Sequence, residues 1–415
     1  MSGFLFHDVI FGPVLSRRLG LSLGINLLPS HAKYCSFNCI YCECGWTPEN
    51  VNLTPKLPSR KLISQYLEYR LKELIEEDHI PDALTYAGNG EPTMHPDFAG
   101  IVEDTLALRD KYMPGVKVAI LSNASMIHES SVFNALLKVD HNIQKLDAGF
   151  DWLFRRINNP VLPVKFNDIV RDLKKFKGKV IIFWDDNIAG DMEYAKSLFR
   201  AITPYRKWWS SQATLQVGQD DEFLELAAQS GCKQLFLGLE SISQQSMIEV
   251  NKTFNRVEEY SRVIRRIHSY GIAVQAGIVF GFDHDTPDIF KVTLDFLEEA
   301  GVQNATFNIL TPLPGTPLFR RMDNDGRILT RDWREYNGRE SVVYKPRQMS
   351  VAELQAGFRY ANERFYSLPS IAKRLCRSPV QFWWALPLNV AYGYQWRKTA
   401  QPAVHAQSGE THLTE

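Results

Sequence analysis

Hydrophobic positions along this chain gather in short runs, separated by longer stretches in which they recur at helical spacing. Apolar runs at 21–28, 83–87, 116–122, 143–148, 179–184, 214–217, 234–239, 274–280 and 305–309 predict strands. Most of the segments between them are amphipathic. Asn255 precedes a stripe of Val257, Tyr260, Val263, Ile264 and Ile267, and Gly271 stands where a C-terminal cap belongs. Thr286 and Pro287 open a helix that Gly301 can close, and Ser350 with Glu353 predicts a capping box ahead of a helix ending near Tyr366. Strand and helix in strict turn predict an α/β protein with a parallel sheet and helices outside it.

Open doubly wound sheets and barrels share this alternation, and in both the chemistry gathers beyond the carboxyl ends of the strands. Residues 330–347 read as irregular, 350–375 as helical, and 401–415 as a polar, disordered tail. Residues 379–396 carry Phe382, Trp383, Trp384, Tyr392, Tyr394 and Trp396 with Arg or Lys on both flanks. That segment is too short and too interrupted for a membrane span, so no stable membrane insertion is expected. Packing on the core is the plainer reading, with an interfacial helix or an aromatic lid as alternatives.

Composition narrows the classes. The chain has 415 residues, 45% hydrophobic and 23% charged, ample for a large core. Lys plus Arg and Asp plus Glu are both 47, which excludes a global field for nucleic acid or anionic lipid but not a local patch. Residues 1–13 lack the features of a secretory signal, so a cytoplasmic location is expected. Four of the six cysteines fall within residues 35–44, which in a reducing compartment points to metal rather than disulfides. Cys232 and Cys376 read as small buried hydrophobes.

Cys35, Cys39 and Cys42 have the spacing Cys-x3-Cys-x2-Cys, with Tyr41 beside the third. Thiolates this close can hold three irons of one cubane, whereas electron-carrier clusters normally take four cysteines. Three ligands leave one iron open, the mark of a catalytic rather than a structural metal site. Zinc and a thiol-only site are the competing readings. Cys44 could close the cluster or share zinc with Cys42, but its one-residue spacing argues against both thiolates reaching one cubane.

A glycine-rich turn, Gly88-Asn89-Gly90-Glu91, follows the strand at 83–87. Its glycines permit close approach of a ligand, and Glu91 can accept from a ligand ammonium; a plain turn is an equal alternative. Ser122 and Asn123 end the next strand, and Lys145 to Gly149 the one after, so both place polar groups at the same rim. Ordinary turn capping competes there too.

The cysteine spacing with its aromatic residue resembles the signature loop of the radical S-adenosylmethionine (SAM) superfamily. Residues 11–20 and 22–26 before it are similar to iron–sulfur oxidoreductases related to wyosine-type tRNA-modifying enzymes. The resemblance implies a parallel (βα) barrel or partial barrel with a mostly helical C-terminal extension. It also implies a [4Fe–4S] cluster on Cys35, Cys39 and Cys42, and SAM whose methionine amino group is bound by Gly88, Asn89, Gly90 and Glu91. Tyr41, Ser122 and Asn123 would face the cofactor, and Asp147 the substrate or ribose.

From about residue 180 the resemblance changes. Residues 183–190, 236–241, 277–283 and 312–317 look like a second radical SAM branch, the cobalamin-domain-bearing proteins, and the similarity runs on through Asp332, Trp333, Met349, Ser350, Phe365 and Tyr366. Asp185, Asp186 and Glu240, cofactor contacts in that branch, rank below Glu91 because the front half already supplies a contiguous cofactor shell. No segment resembles the cobalamin-binding domain, so no cobalamin is expected. The expected organisation is a cluster- and SAM-binding front at 1–180, additional βα units at 181–325, a mostly helical extension at 326–400 and the tail at 401–415.

The resemblance implies reductive cleavage of SAM to a 5′-deoxyadenosyl radical that abstracts hydrogen from a small-molecule or RNA substrate. An electron donor such as flavodoxin or ferredoxin would serve it. The alternative is a non-catalytic iron–sulfur or zinc-binding protein of composite architecture.

Overall fold

A computed structural model describes residues 4–16, 19–48, 56–183, 186–249, 252, 255–339, 341–378, 380 and 382–399. The tail expected at 401–415, and Asp185, lie outside the described residues. The chain divides into two compact units, Met1–Lys177 and Gly178–Glu415.

The first unit holds a five-stranded sheet in the order β1(Ile10–Ser16), β2(Gly20–Ile25), β3(Ala83–Tyr86), β4(Lys117–Ser122), β5(His141–Gln144). β2 to β5 are parallel, joined by crossovers that contain the helices Arg60–Glu76, Phe98–Tyr112 and Ser130–Leu136. Helix Arg60–Glu76 begins where the Ser59 side chain accepts from the Leu62 amide, and buries Ile63, Leu67, Leu71 and Leu74 at three- and four-residue spacing. All four residues of β3 are buried, as a parallel strand covered on both faces requires.

β1 corrects the strict alternation read from the sequence, because it pairs antiparallel with β2. The register slips between Phe11 and Val14, around the cis Gly12–Pro13 bond, where proline cannot donate to a ladder. That interruption hid the strand. The run at 143–148 is also displaced, since β5 ends at Gln144 and leaves Lys145 and Asp147 in the loop beyond it.

The second unit holds β6(Val180–Ile182), β7(Trp208–Ala213), β8(Cys232–Glu240), β9(Ala273–Phe280) and β10(Asn304–Ile309), all parallel, in the order β10-β9-β8-β7-β6. Residues 215–219 form a short 3-10 turn rather than the expected strand. The strand lies just upstream, where Trp209, Ser211 and Ala213 alternate inward, and the serines and glutamine masked the pattern. The capping box at Ser350 and Glu353 forms as expected, and Gly271 takes φ +74° just past its helix.

Three helices, Val351–Phe365, Leu368–Arg377 and Phe382–Thr399, complete the C-terminal region. The last packs Ala385 and Asn389 inward, while Phe382, Leu386, Val390 and Tyr394 face outward. Among the described residues no helix is long and apolar enough to cross a membrane. Cys232 is buried as expected, but Cys376 is exposed, because it falls on the far side of the helix whose inner face carries Ile371 and Arg374. The protein is thus α/β with parallel sheets and a helical C-terminal region. Of the two expected forms, closed barrel and partial barrel, the open five-stranded order corresponds to the partial one.

Candidate metal and cofactor site

All sequence-predicted site residues up to Asp147 lie in the first unit, beyond the carboxyl ends of β2 to β5. The loop bearing the cysteines is held by three neighbouring segments. At its start Tyr34 donates its amide to the Asn89 carbonyl at 2.9 Å, and its own carbonyl accepts from the Glu91 amide at 3.1 Å. In its middle the Ser36 hydroxyl shares a hydrogen bond of 2.8 Å with Ser125 and accepts from Asn123 Nδ2 at 2.8 Å. On its other side Asn38 and Ile40 donate to the carbonyls of Asn159 and Ile157, each at 3.0 Å. Fixing this backbone from three directions sets where the thiols point.

The glycines of the second motif serve this clamp. Gly88 and Gly90 take φ of +133° and +145°, and a Cβ on Gly90 would collide with the Tyr34 carbonyl. The Asn89 side chain is engaged internally: Nδ2 donates to the carbonyls of Phe6 and Pro29 at 2.8 and 2.7 Å, and Oδ1 accepts from the Phe6 amide. Glu91 is 2% exposed, and burial pushes its carboxyl above the usual carboxylate range. It accepts from the Thr93 amide and hydroxyl, from the Asn123 amide at 2.6 Å and from Ser122. A ligand ammonium would therefore have to displace one of these donors from Glu91.

The four cysteines differ in environment. Cys35 is buried, and burial pushes its thiol up to about 12. Cys42 is held down to about 5, first by its contact with Cys44 and then, against the opposing effect of burial, by the Cys44 amide and the buried Lys33. Lys33 Nζ donates to the Gly45 carbonyl at 3.0 Å. Cys44 lies beside Cys42 and within 3.5 Å of the Gly88 carbonyl, so the one-residue spacing does not keep the two thiols apart.

Amide donors stand at the sulfurs. Asn123 Nδ2 donates to Cys35 Sγ at 3.5 Å, and Asn158 Nδ2 to Cys39 Sγ at 3.5 Å, with Lys145 Nζ at 3.8 Å from the same atom. At the outer edge the Tyr41 hydroxyl donates to Asp147 at 2.5 Å, Lys145 lies 3.3 Å from that carboxylate, and Asn158 donates to it. Lys145 also sits 4.4 Å from the Tyr41 ring centroid, and Tyr41 is 51% exposed. Tyr41 and Asp147 are thus brought together at the accessible side.

Asn158 was not foreseen from the sequence. It lies at the end of helix Asp151–Asn158, just before Asn159 in the left-handed region at φ 41°. It is 2% exposed, and among the described residues its Oδ1 meets no hydrogen-bond donor. A flipped amide would set this oxygen against the Asp147 carboxylate, so charge fixes its orientation.

The donor set suits a cluster: soft thiolates from one loop, N–H groups aimed at two of them, and a buried cation nearby to offset their charge. Among the described residues no three His, Cys, Asp or Glu side chains are gathered as around a single metal ion. A cubane makes no such demand, because each cysteine binds a different iron. Asp186 and Glu240 belong to the second unit, where Asp186 is exposed and Glu240 accepts from Lys252 Nζ at 2.5 Å.

No protein-family model matches the chain. A bacteriochlorophyllide d C-12(1)-methyltransferase from Chlorobaculum tepidum is 30% identical over 202 residues, 49% of this chain and 44% of that protein. A UPF0026 protein from Methanocaldococcus jannaschii is 34% identical over 192 residues, 45% of this chain and 56% of that protein. The chain thus spans less than two thirds of either relative. Among solved structures, the radical SAM methyltransferase TsrM from Kitasatospora setae, with cobalamin and a [4Fe–4S] cluster bound, has a TM-score of 0.39 at 13% identity, covering 80% of this chain and 91% of that one. In its cysteine motif the chain resembles the radical SAM superfamily.

Proposed function

We propose that this chain is a radical SAM enzyme that holds one [4Fe–4S] cluster on Cys35, Cys39 and Cys42 and binds SAM beside it. The resulting 5′-deoxyadenosyl radical would abstract hydrogen from a small-molecule or RNA substrate. The observation that carries this reading is the three-cysteine loop, clamped from three sides with amide donors on two of its sulfurs. The cluster, when bound, supplies the single electron that cleaves the sulfonium.

The remaining work falls to the chain. The Tyr34 clamp holds the loop in place, and Lys33 offsets thiolate charge from within the loop. The turn from Gly88 to Glu91 would meet the methionine part of SAM, with Glu91 accepting its ammonium in exchange for one of its present donors. Asn89 contributes by holding that turn, since its side chain is already engaged. Ser122 and Asn123 line the cofactor side, and Tyr41 with Asp147 faces cofactor or substrate at the accessible edge. An electron donor of the flavodoxin or ferredoxin type and a reducing cytoplasm are what this chemistry needs. The absence of cobalamin is an expectation from the sequence only.

Anaerobic reconstitution with iron and sulfide, followed by a strong reductant and SAM, tests the proposal. Release of 5′-deoxyadenosine, abolished in Cys39→Ala, is expected. Metal bound without release would favour the non-catalytic alternative, and undiminished release from the variant would overturn the ligand assignment.

A further inference from the structure

From the two amide contacts at the cysteine sulfurs we infer that Asn158 and Asn123 are positioning residues that raise the reduction potential of the cluster. The inference rests on the cluster assignment above. Asn158 Nδ2 reaches Cys39 Sγ, and Asn123 Nδ2 reaches Cys35 Sγ, both at 3.5 Å. An N–H directed at a cluster sulfur draws electron density from it and favours the more negative, reduced state.

Both amides are locked by other partners. The Asn123 amide nitrogen donates to the buried Glu91 carboxylate, its Nδ2 also donates to Ser36, and its Oδ1 accepts from the Ser125 amide at 3.0 Å. Asn158 is held by Asp147, to which its Nδ2 also donates. That bond and the contact with sulfur use both N–H groups of the Asn158 side chain. Both asparagines are buried, as is Cys35, whereas Cys39 is partly exposed.

The test is a potentiometric titration of the reconstituted full-length protein, followed by electron paramagnetic resonance. Asn158→Leu keeps the side-chain size and removes the donor. Its iron and sulfide content should match wild type, while the reduced-to-oxidised ratio at a fixed potential falls about tenfold, about 59 mV for one electron. Asn123→Leu gives the same reading at Cys35 should Asn158→Leu fail to assemble a cluster. In wild-type protein labelled with 15N-asparagine, electron spin echo modulation should detect a side-chain amide nitrogen coupled to the reduced cluster. An unchanged potential in a cluster-bearing variant, or no such coupling in wild type, overturns the inference. Failure of wild type to hold a cluster overturns the cluster assignment instead.

Discussion

The carbonyl oxygen of Tyr34 lies 1.9 Å from the position that a Cβ on Gly90 would occupy. The glycine-rich turn and the cysteine loop are therefore packed backbone to backbone, and the hydrogen bonds of Tyr34 with Asn89 and Glu91 depend on that approach. Gly90→Ala must move one segment away from the other and also strain a backbone at φ +145°. We expect a loss of about 2 kcal/mol or more in the first unit, by analogy with strained backbone positions. Urea unfolding checks the stability, and iron content after reconstitution should fall with it.

Cys44→Ala should retain the full iron content of wild type if three thiolates suffice. The expectation needs a direct test because Cys44 sits beside Cys42 rather than apart from it. Iron and sulfide determination on the reconstituted variant decides the matter, and a loss of about a quarter or more of the iron would make Cys44 a ligand.

Arg374 is wholly buried and donates to the carbonyls of Val302, Gln303 and Phe365 and to Asn389 Oδ1, with its guanidinium 3.6 Å from the Phe365 ring centroid. Those bonds tie three C-terminal helices to the segment before β10. Arg374→Met keeps the stem but takes the guanidinium away from four acceptors, of which the Gln303 carbonyl keeps its bond from Asn389 Nδ2, and should cost about 3–5 kcal/mol. Thermal unfolding of the variant measures this, and a change below about 1 kcal/mol would contradict it.

His268 is 4% exposed, and burial holds its imidazole down to about 4, against a partly offsetting bond of 3.1 Å with Gln303 Oε1. The folded state thus keeps the ring neutral, while the unfolded chain binds a proton near pH 6.5. The stability tied to the neutral ring is fully present above about pH 6.5 and is lost as pH falls towards 4, about 3 kcal/mol in all. Urea unfolding at several pH values should show this slope in wild type. His268→Gln, which does not titrate, should flatten it.

By itself the sequence determined the general layering and displayed the cysteine motif on which the proposed chemistry rests. The spacing of Cys35, Cys39 and Cys42 is local, so it could be read without a fold, and eight of the nine expected strand runs coincide with or overlap strands of the structure. Local signals failed where polar residues broke a pattern, as in β7, or where a glycine–proline pair interrupted one, as in β1. What only the tertiary structure decided is what surrounds the sulfurs. Asn158 meets Cys39 across 119 residues because the Ile157 and Asn159 carbonyls are bonded to Ile40 and Asn38. The engagement of Asn89 and Glu91 with internal partners was likewise set by chain segments that meet only on folding. Periodicity records which face of an element is buried, but it carries no information about which distant side chain will stand opposite a given atom.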